Sequence, residues 1–168
     1  MADRGPAQAV DATATVDAIA AVGAPVRVGV DVTAVAEVAD AVATFGDRYL
    51  HRLFTPHEVE SCGGAAAAAS LAARFAAKEA VVKVLEPSGA RPPWRDIEVV
   101  RRPDGACRIR LHRTAASLAA ERGVGPMSVS LSHEAGLAVA VVAAACTGPA
   151  DGPRQRATEQ FNTGGADR

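Results

Sequence analysis

The 168-residue chain reads as an α+β protein, an antiparallel sheet packed around one long central helix. Three observations carry that reading. Residues Leu71 to Leu85 contain no Gly or Pro and only four charges, a run too apolar all round for a helix with one watery face. Helical patterns crowd the first half behind a single opening strand, and strand patterns crowd the second, without the regular alternation of a parallel sheet. The second half also holds two pairs of apolar runs, each joined by a Gly-containing turn, as antiparallel hairpins require.

Taken in order, residues 1–24 are rich in Ala, Thr and Asp without sustained periodicity and are expected to form a disordered tail. Residues 147–168, polar and Gly-containing, are expected to do the same, which leaves one domain over 25–146. It opens on a strand in which Val26, Val28, Val30 and Val32 alternate with Arg27, Gly29 and Asp31, giving one apolar face and placing Asp31 on the other. Gly29 strips bulk from the Asp31 face, so something is expected to approach the backbone there.

Thr33 to Phe45 predicts a helix closed by Gly46, with Asp47 capping the next segment and Leu50, Leu53 and Phe54 forming an apolar stripe. Thr55-Pro56-His57-Glu58 is a capping box with Pro at the first helical position, so a short helix starts at Pro56. Gly63-Gly64 ends it, and Ser70 either caps the central helix or lies inside an earlier start. Beyond Leu85 a loop rich in Pro and Gly runs to Trp94. Ile97–Arg101 and Cys107–Leu111 flank Asp104-Gly105 as a hairpin. Thr114 is expected to cap a helix to Arg122, and Met127–His133 and Leu137–Cys146 form a second hairpin across Glu134-Ala135-Gly136.

The four charges of the central helix, Arg74, Lys78, Glu79 and Lys83, need partners, because a buried unpaired charge costs several kcal/mol. At about 100° per residue, Ala72, Ala76, Glu79 and Lys83 share one stripe, which leaves room beside the Glu79 carboxylate. Two readings follow. Lys83 pairs with Glu79 at i, i+4 as an internal salt bridge, or the three cations and one acid face an anionic ligand.

Composition bounds the function. With 49% hydrophobic and 22% charged residues this is a globular chain, and its net charge of -1 supplies no global field for nucleic acid or an acidic membrane. Three widely spaced cysteines, Cys62, Cys107 and Cys146, fit neither a disulfide framework nor a zinc motif, and suit a reducing cytoplasm. The N-terminus lacks the cationic stretch of a secretion signal, and the longest apolar run, Leu137 to Cys146, is far short of the roughly 20 residues of a membrane span. A cytoplasmic protein with neither membrane nor nucleic acid as partner is expected.

Four stretches then stand in order: Val28-Gly29-Val30-Asp31-Val32, F-G-D-R-Y-L-H-R-L-F-T-P-H-E at 45–58, L-A-A-R-F-A-A-K-E-A at 71–80 and S-V-S-L-S-H at 128–133. Together they resemble the holo-[acyl-carrier-protein] synthases, the short class of 4′-phosphopantetheinyl transferases, across about residues 26–145. The resemblance implies that fold, and transfer of phosphopantetheine from coenzyme A to a serine of an apo acyl carrier protein with release of 3′,5′-ADP, in fatty acid or polyketide synthesis. It implies Mg²⁺ held by Asp31 and Glu79, with Asp31, Glu79, Lys83 and His133 as catalytic residues. Arg74, Lys78, Lys83, Ser88, Gly89 and His133 would contact coenzyme A, and Glu134 is a second base candidate. It further implies a homotrimer with active sites between subunits.

The chain departs from the pattern in the first helix, where Glu37 stands in place of the usual Arg on the carrier-receiving surface. It departs again after the central helix, where Glu86-Pro87-Ser88-Gly89 replaces a Gly-Thr-Gly turn. Two other functions fit the same motifs: a non-catalytic module that binds carrier proteins, and a Mg²⁺-dependent hydrolase of nucleotide pyrophosphates. The reaction products separate them.

Overall fold

Strand β1 (Val26–Ala34) opens the described part of the chain, residues 25–147 of a computed structural model. The stretches expected to be tails lie outside the described residues, except for Thr147. Helices α1 (Val35–Phe45), α2 (Asp47–Leu53), α3 (Pro56–Ser61) and α4 (Ala67–Leu85) follow. A single 3₁₀ turn at Trp94–Asp96 leads into strands β2 (Ile97–Arg101) and β3 (Cys107–Leu111), helix α5 (Arg113–Glu121), and strands β4 (Val124–Glu134) and β5 (Leu137–Cys146).

The expected antiparallel sheet is divided. β1, β5 and β4 form a three-stranded sheet in that order, while β2 and β3 pair only with each other. β1 runs along β5 in unbroken register from Val26↔Ala145 to Ala34↔Leu137, so the first and last strands are neighbours. Pleating gives this sheet two faces of opposite character. Gly29, Thr33, Ala138, Ala140, Val142 and Ala144 are buried on the inner face, with Met127, Val129 and Leu131 of β4 beside them. On the outer face, Val26, Val28, Val30 and Val32 are 46–57% exposed, together with Leu137 and Val141. The apolar stripe of β1 thus faces away from the core, and its Gly29 and Asp31 stripe faces in.

α4 is the element packed on that inner face. It begins at Ala67, four positions before the expected Leu71, so Ser70 lies within the helix. Ala72, Ala76, Ala77 and Ala80 are fully buried, and their small side chains let the sheet approach closely. Gly29 marks the closest approach, where a β carbon would meet the Ala80 carbonyl oxygen at 2.0 Å. What approaches the backbone at Gly29 is therefore α4. The helix ends with Glu86 in the left-handed region, φ 45°, and Arg27 of β1 donates to the Val84 carbonyl at 3.4 Å, a cation where the helix dipole favours one.

The remaining joints follow local chemistry. The capping box at Thr55 and Glu58 is complete, as the sequence predicts. The start of α5 is held differently from expectation: the Asp96 carboxylate accepts from the Thr114 N–H at 3.1 Å, so the capping oxygen comes from the 3₁₀ turn and not from Thr114. β4 and β5 join across Ala135-Gly136 alone, both at positive φ (49° and 79°), a two-residue turn one residue tighter than expected. A second apolar cluster, with Phe54, Leu71 and Trp94 at its centre, seats α1, α2 and α3 on the start of α4. No helix among the described residues is long and apolar enough to cross a membrane.

Candidate active site

Asp31 and Glu79 are brought near each other because β1 crosses α4 where Gly29 meets Ala80, two residues before Asp31 in the strand and one residue after Glu79 in the helix. Around them the structure sets two cations. Lys83 donates to Asp31 Oδ1 at 2.9 Å and to the Val30 carbonyl at 2.6 Å, and Thr33 Oγ1 donates to Asp31 Oδ2 at 3.3 Å. Glu79 faces Arg91 of the loop after α4, Nη1 to Oε1 4.0 Å. The expected i, i+4 bridge from Glu79 to Lys83 does not form: Lys83 reaches across to β1 instead, although its charge still bears on Glu79.

The charges of the two carboxylates act on each other. Burial raises the pKa of Glu79 first, and the charge of Asp31 raises it further, against the lowering influence of Arg91 and Lys83. In each pair the cation is half-exposed and the acid less so: Lys83 with Asp31, and Arg91 with Glu79. Two acids that repel each other across a solvent-reachable gap suit a divalent cation, whose ligands are hard oxygens. Among the described residues no group of three or more His, Cys, Asp and Glu surrounds a common point, so a cation here would take its remaining ligands from phosphate and water.

Two of the expected phosphate contacts turn inward. Lys78 is fully buried and donates to Glu58 Oε2 at 2.8 Å, to the Trp94 carbonyl at 3.0 Å and to the Ile97 carbonyl. All three ammonium protons are thereby used, and the expectation that Lys78 meets a ligand is corrected to a structural role. Burial lowers its pKa, opposed by the Glu58 charge. Arg74 is 5% exposed, with Nη1 donating to the Ser70 carbonyl and Nη2 to Ser61 Oγ, each at 3.1 Å, while its buried Nε has no partner. It stands at the α3–α4 junction, away from the Asp31 set.

His133 lies at the exposed end of β4, on the inner face, across Ala138 from Thr33. Two strand spacings put it roughly 10 Å from β1, on the same face of the sheet as Asp31. Glu134 follows on the outer face, also exposed. Ser88 and Gly89 lie exposed in the loop after α4, and a side chain at Gly89 would meet nothing within 4 Å. The residue that sequence reasoning passed over is Arg91 in the same loop. Its signal was present, a cation immediately before Pro92-Pro93-Trp94 in the loop that follows the central helix.

Known proteins resemble this chain over most of its described length. The model of the 4′-phosphopantetheinyl transferase superfamily matches residues 27–142, from β1 to the middle of β5. The holo-[acyl-carrier-protein] synthase of Moorella thermoacetica is 45% identical over 114 residues, 67% of this chain and 88% of that one. That of Beutenbergia cavernae is 44% identical over 118 residues, 70% and 95%. Among solved structures, the Helicobacter pylori holo-[acyl-carrier-protein] synthase in complex with coenzyme A superimposes with a TM-score of 0.63 at 30% identity, covering 71% of this chain and all of that one. The acyl carrier protein synthase of Mycobacterium tuberculosis gives 0.57 at 35%, covering 71% and 96%. Strand, central helix and closing hairpin are matched in one continuous span, and the chain belongs to the holo-[acyl-carrier-protein] synthases of the 4′-phosphopantetheinyl transferase superfamily.

Proposed function

We infer that this enzyme transfers the 4′-phosphopantetheine group of coenzyme A to a serine of an apo acyl carrier protein in the cytoplasm, with Mg²⁺ in the site and 3′,5′-ADP as the released product. The observation that carries the reading is the crossing of β1 over α4 at Gly29 and Ala80, which sets Asp31 against the stretch of helix that carries Glu79 and Lys83, with Lys83 at 2.9 Å from Asp31. Asp31 and Glu79 would hold the metal, which when bound neutralises charge on the diphosphate and orients it. The serine oxygen forms the new bond to the β-phosphorus, the bond from that phosphorus to the leaving 3′,5′-ADP oxygen breaks, and the serine proton passes to a base. Lys83 is placed to donate to a phosphate oxygen, and His133, or Glu134 beside it, to accept the proton. Ser88 and Gly89 line the approach from the loop side. Arg74, buried at the α3–α4 junction with Nη1 and Nη2 bonded to Ser70 and Ser61, is left out of this reading.

The outer face of the sheet supports assembly as a homotrimer. Val28, Val30, Val32, Val141 and Leu137 present an exposed apolar surface, and β4 adds Ser128, Ser130 and Ser132 to it, with Glu134 at its end. Sedimentation of the purified enzyme tests the assembly, with a single species of monomer mass as the contrary result.

The reaction is tested by incubating coenzyme A, Mg²⁺ and an apo carrier and separating the products. Holo carrier with stoichiometric 3′,5′-ADP is expected, lost in Asp31→Ala and Glu79→Ala with the fold retained. Free 4′-phosphopantetheine with 3′,5′-ADP would instead identify a hydrolase, and unchanged coenzyme A a binding module.

A further inference from the structure

Arg91 is anchored more firmly than an exposed loop arginine needs to be. Its guanidinium carbon lies 3.9 Å from the centroid of the Trp94 ring, a close cation–π stack. Trp94 is 8% exposed and packs edge-on against Phe75, centroids 5.3 Å apart, one helical turn before Glu79 on α4. Pro92, fully buried, and Pro93 follow Arg91 directly, and a residue before proline is confined to extended backbone. The cation is therefore fixed on a rigid pedestal built on α4 itself, with Nη1 4.0 Å from Glu79 Oε1.

We propose that Arg91 is a positioning residue that sets the balance between metal and phosphate in the site: a fixed cation beside Glu79 that weakens binding of the divalent ion alone and strengthens binding of the anionic donor. The inference rests on the reading of Asp31 and Glu79 as metal ligands. Its logic is charge. Without ligands, Asp31 and Glu79 are matched by Lys83 and Arg91. A divalent cation entering by itself makes the cluster strongly positive, whereas one entering with a diphosphate restores the balance. Arg91 thus couples the two ligands, each binding better when the other is present.

The test uses the full-length enzyme and two probes, MgCl₂ alone and coenzyme A in saturating Mg²⁺, each titrated by calorimetry into the parent, Arg91→Ala and Arg91→Lys. Exposed ion pairs contribute little, so Arg91→Ala is expected to bind Mg²⁺ about 2- to 5-fold more tightly and coenzyme A more weakly by a similar factor. Arg91→Lys keeps the charge and should stay near the parent for both. Changes of opposite sign are the signature, because a variant that merely loosened the loop would weaken both. Trp94, the chain's single tryptophan, gives an independent signal: its fluorescence should respond to MgCl₂ in the parent and lose that response in Arg91→Ala. Glu79→Gln separates the two ideas. If it abolishes Mg²⁺ binding while Arg91→Ala leaves both affinities unchanged, or weakens both, the role of Arg91 is overturned and the metal ligand stands. If Glu79→Gln binds Mg²⁺ as the parent does, the metal assignment itself falls, and this proposal with it.

Discussion

A β carbon at Gly29 would lie 2.0 Å from the carbonyl oxygen of Ala80 and 2.9 Å from its carbon, both backbone atoms that no side-chain rotation can move away. The missing side chain is what lets β1 lie directly on α4, and that crossing aligns Asp31 with Lys83 two residues later. Gly29→Ala is therefore expected to cost about 1–3 kcal/mol by overpacking, and to lower the melting temperature by several degrees. Gly89→Ala is the control, since nothing stands within 4 Å of a β carbon there. A Gly29→Ala enzyme that melts with the parent would mean that strand and helix separate without cost.

The Lys78 ammonium holds α3, the Trp94 carbonyl and the start of β2 to the central helix through bonds that are entirely buried. Removing it in Lys78→Met strands the Glu58 carboxylate, which is itself fully buried and also accepts from the N–H groups of Thr55 and Val99. The expected loss is roughly 3–5 kcal/mol, and adding Glu58→Gln should recover part of it by removing the stranded charge. Denaturant unfolding of the two variants measures this. A Lys78→Met enzyme of unchanged stability but weakened coenzyme A binding would restore Lys78 to the ligand site.

Much of this was legible in the chain, for identifiable reasons. The capping box at Thr55 and Glu58, the β2–β3 hairpin bounds and the burial of the central helix all rest on local chemistry or short-range periodicity, which a linear reading captures. The direction each charge of α4 takes was not legible. Arg74, Lys78, Glu79 and Lys83 look alike in spacing, yet one meets Ser61, one Glu58, one Arg91 and one Asp31, each partner supplied by a different distant segment. The β1 valines show the same limit. Alternation identifies an apolar face but not what lies against it, and here α4 occupies the opposite face because Gly29 alone offers the room.

Acid sensitivity should gather at Glu98, 5% exposed, which accepts from Thr55 Oγ1 at 3.0 Å and meets His112 Nε2 at 3.0 Å and Arg110 at 3.3 Å. Burial pushes its pKa up, but the bonds from His112 and Thr55 and the Arg110 charge outweigh that and leave it below the ordinary 4.5. A depressed carboxylate contributes stability that is present above its unfolded value and is lost as the pH falls through the folded one. His112→Ala removes the strongest of the lowering partners, so acid unfolding should begin at a higher pH than in the parent. Circular dichroism across pH 6 to 2 follows it, and coincident acid transitions would show that Arg110 and Thr55 suffice.

Carrier recognition is expected to turn on the charges of the first two helices. Carrier proteins present an acidic helix, and docking by charge complementarity depends on basic residues of the receiving surface. On α1, Glu37 and Asp40 are exposed and oppose such a partner. Just beyond, Arg48, His51 and Arg52 are exposed on α2, with the Arg48 guanidinium 5.7 Å over the half-exposed Phe45 ring, so the basic surface is displaced by one helix. Glu37→Arg should therefore lower the carrier concentration needed for half-maximal rate with an acidic carrier, and Arg48→Glu should raise it. Both effects should shrink as salt shortens the range of the charges. Initial rates against carrier concentration at low and high ionic strength decide the matter. If Glu37→Arg matches the parent at low salt while Arg48→Glu does not, the carrier docks on α2 alone and Glu37 faces away from it.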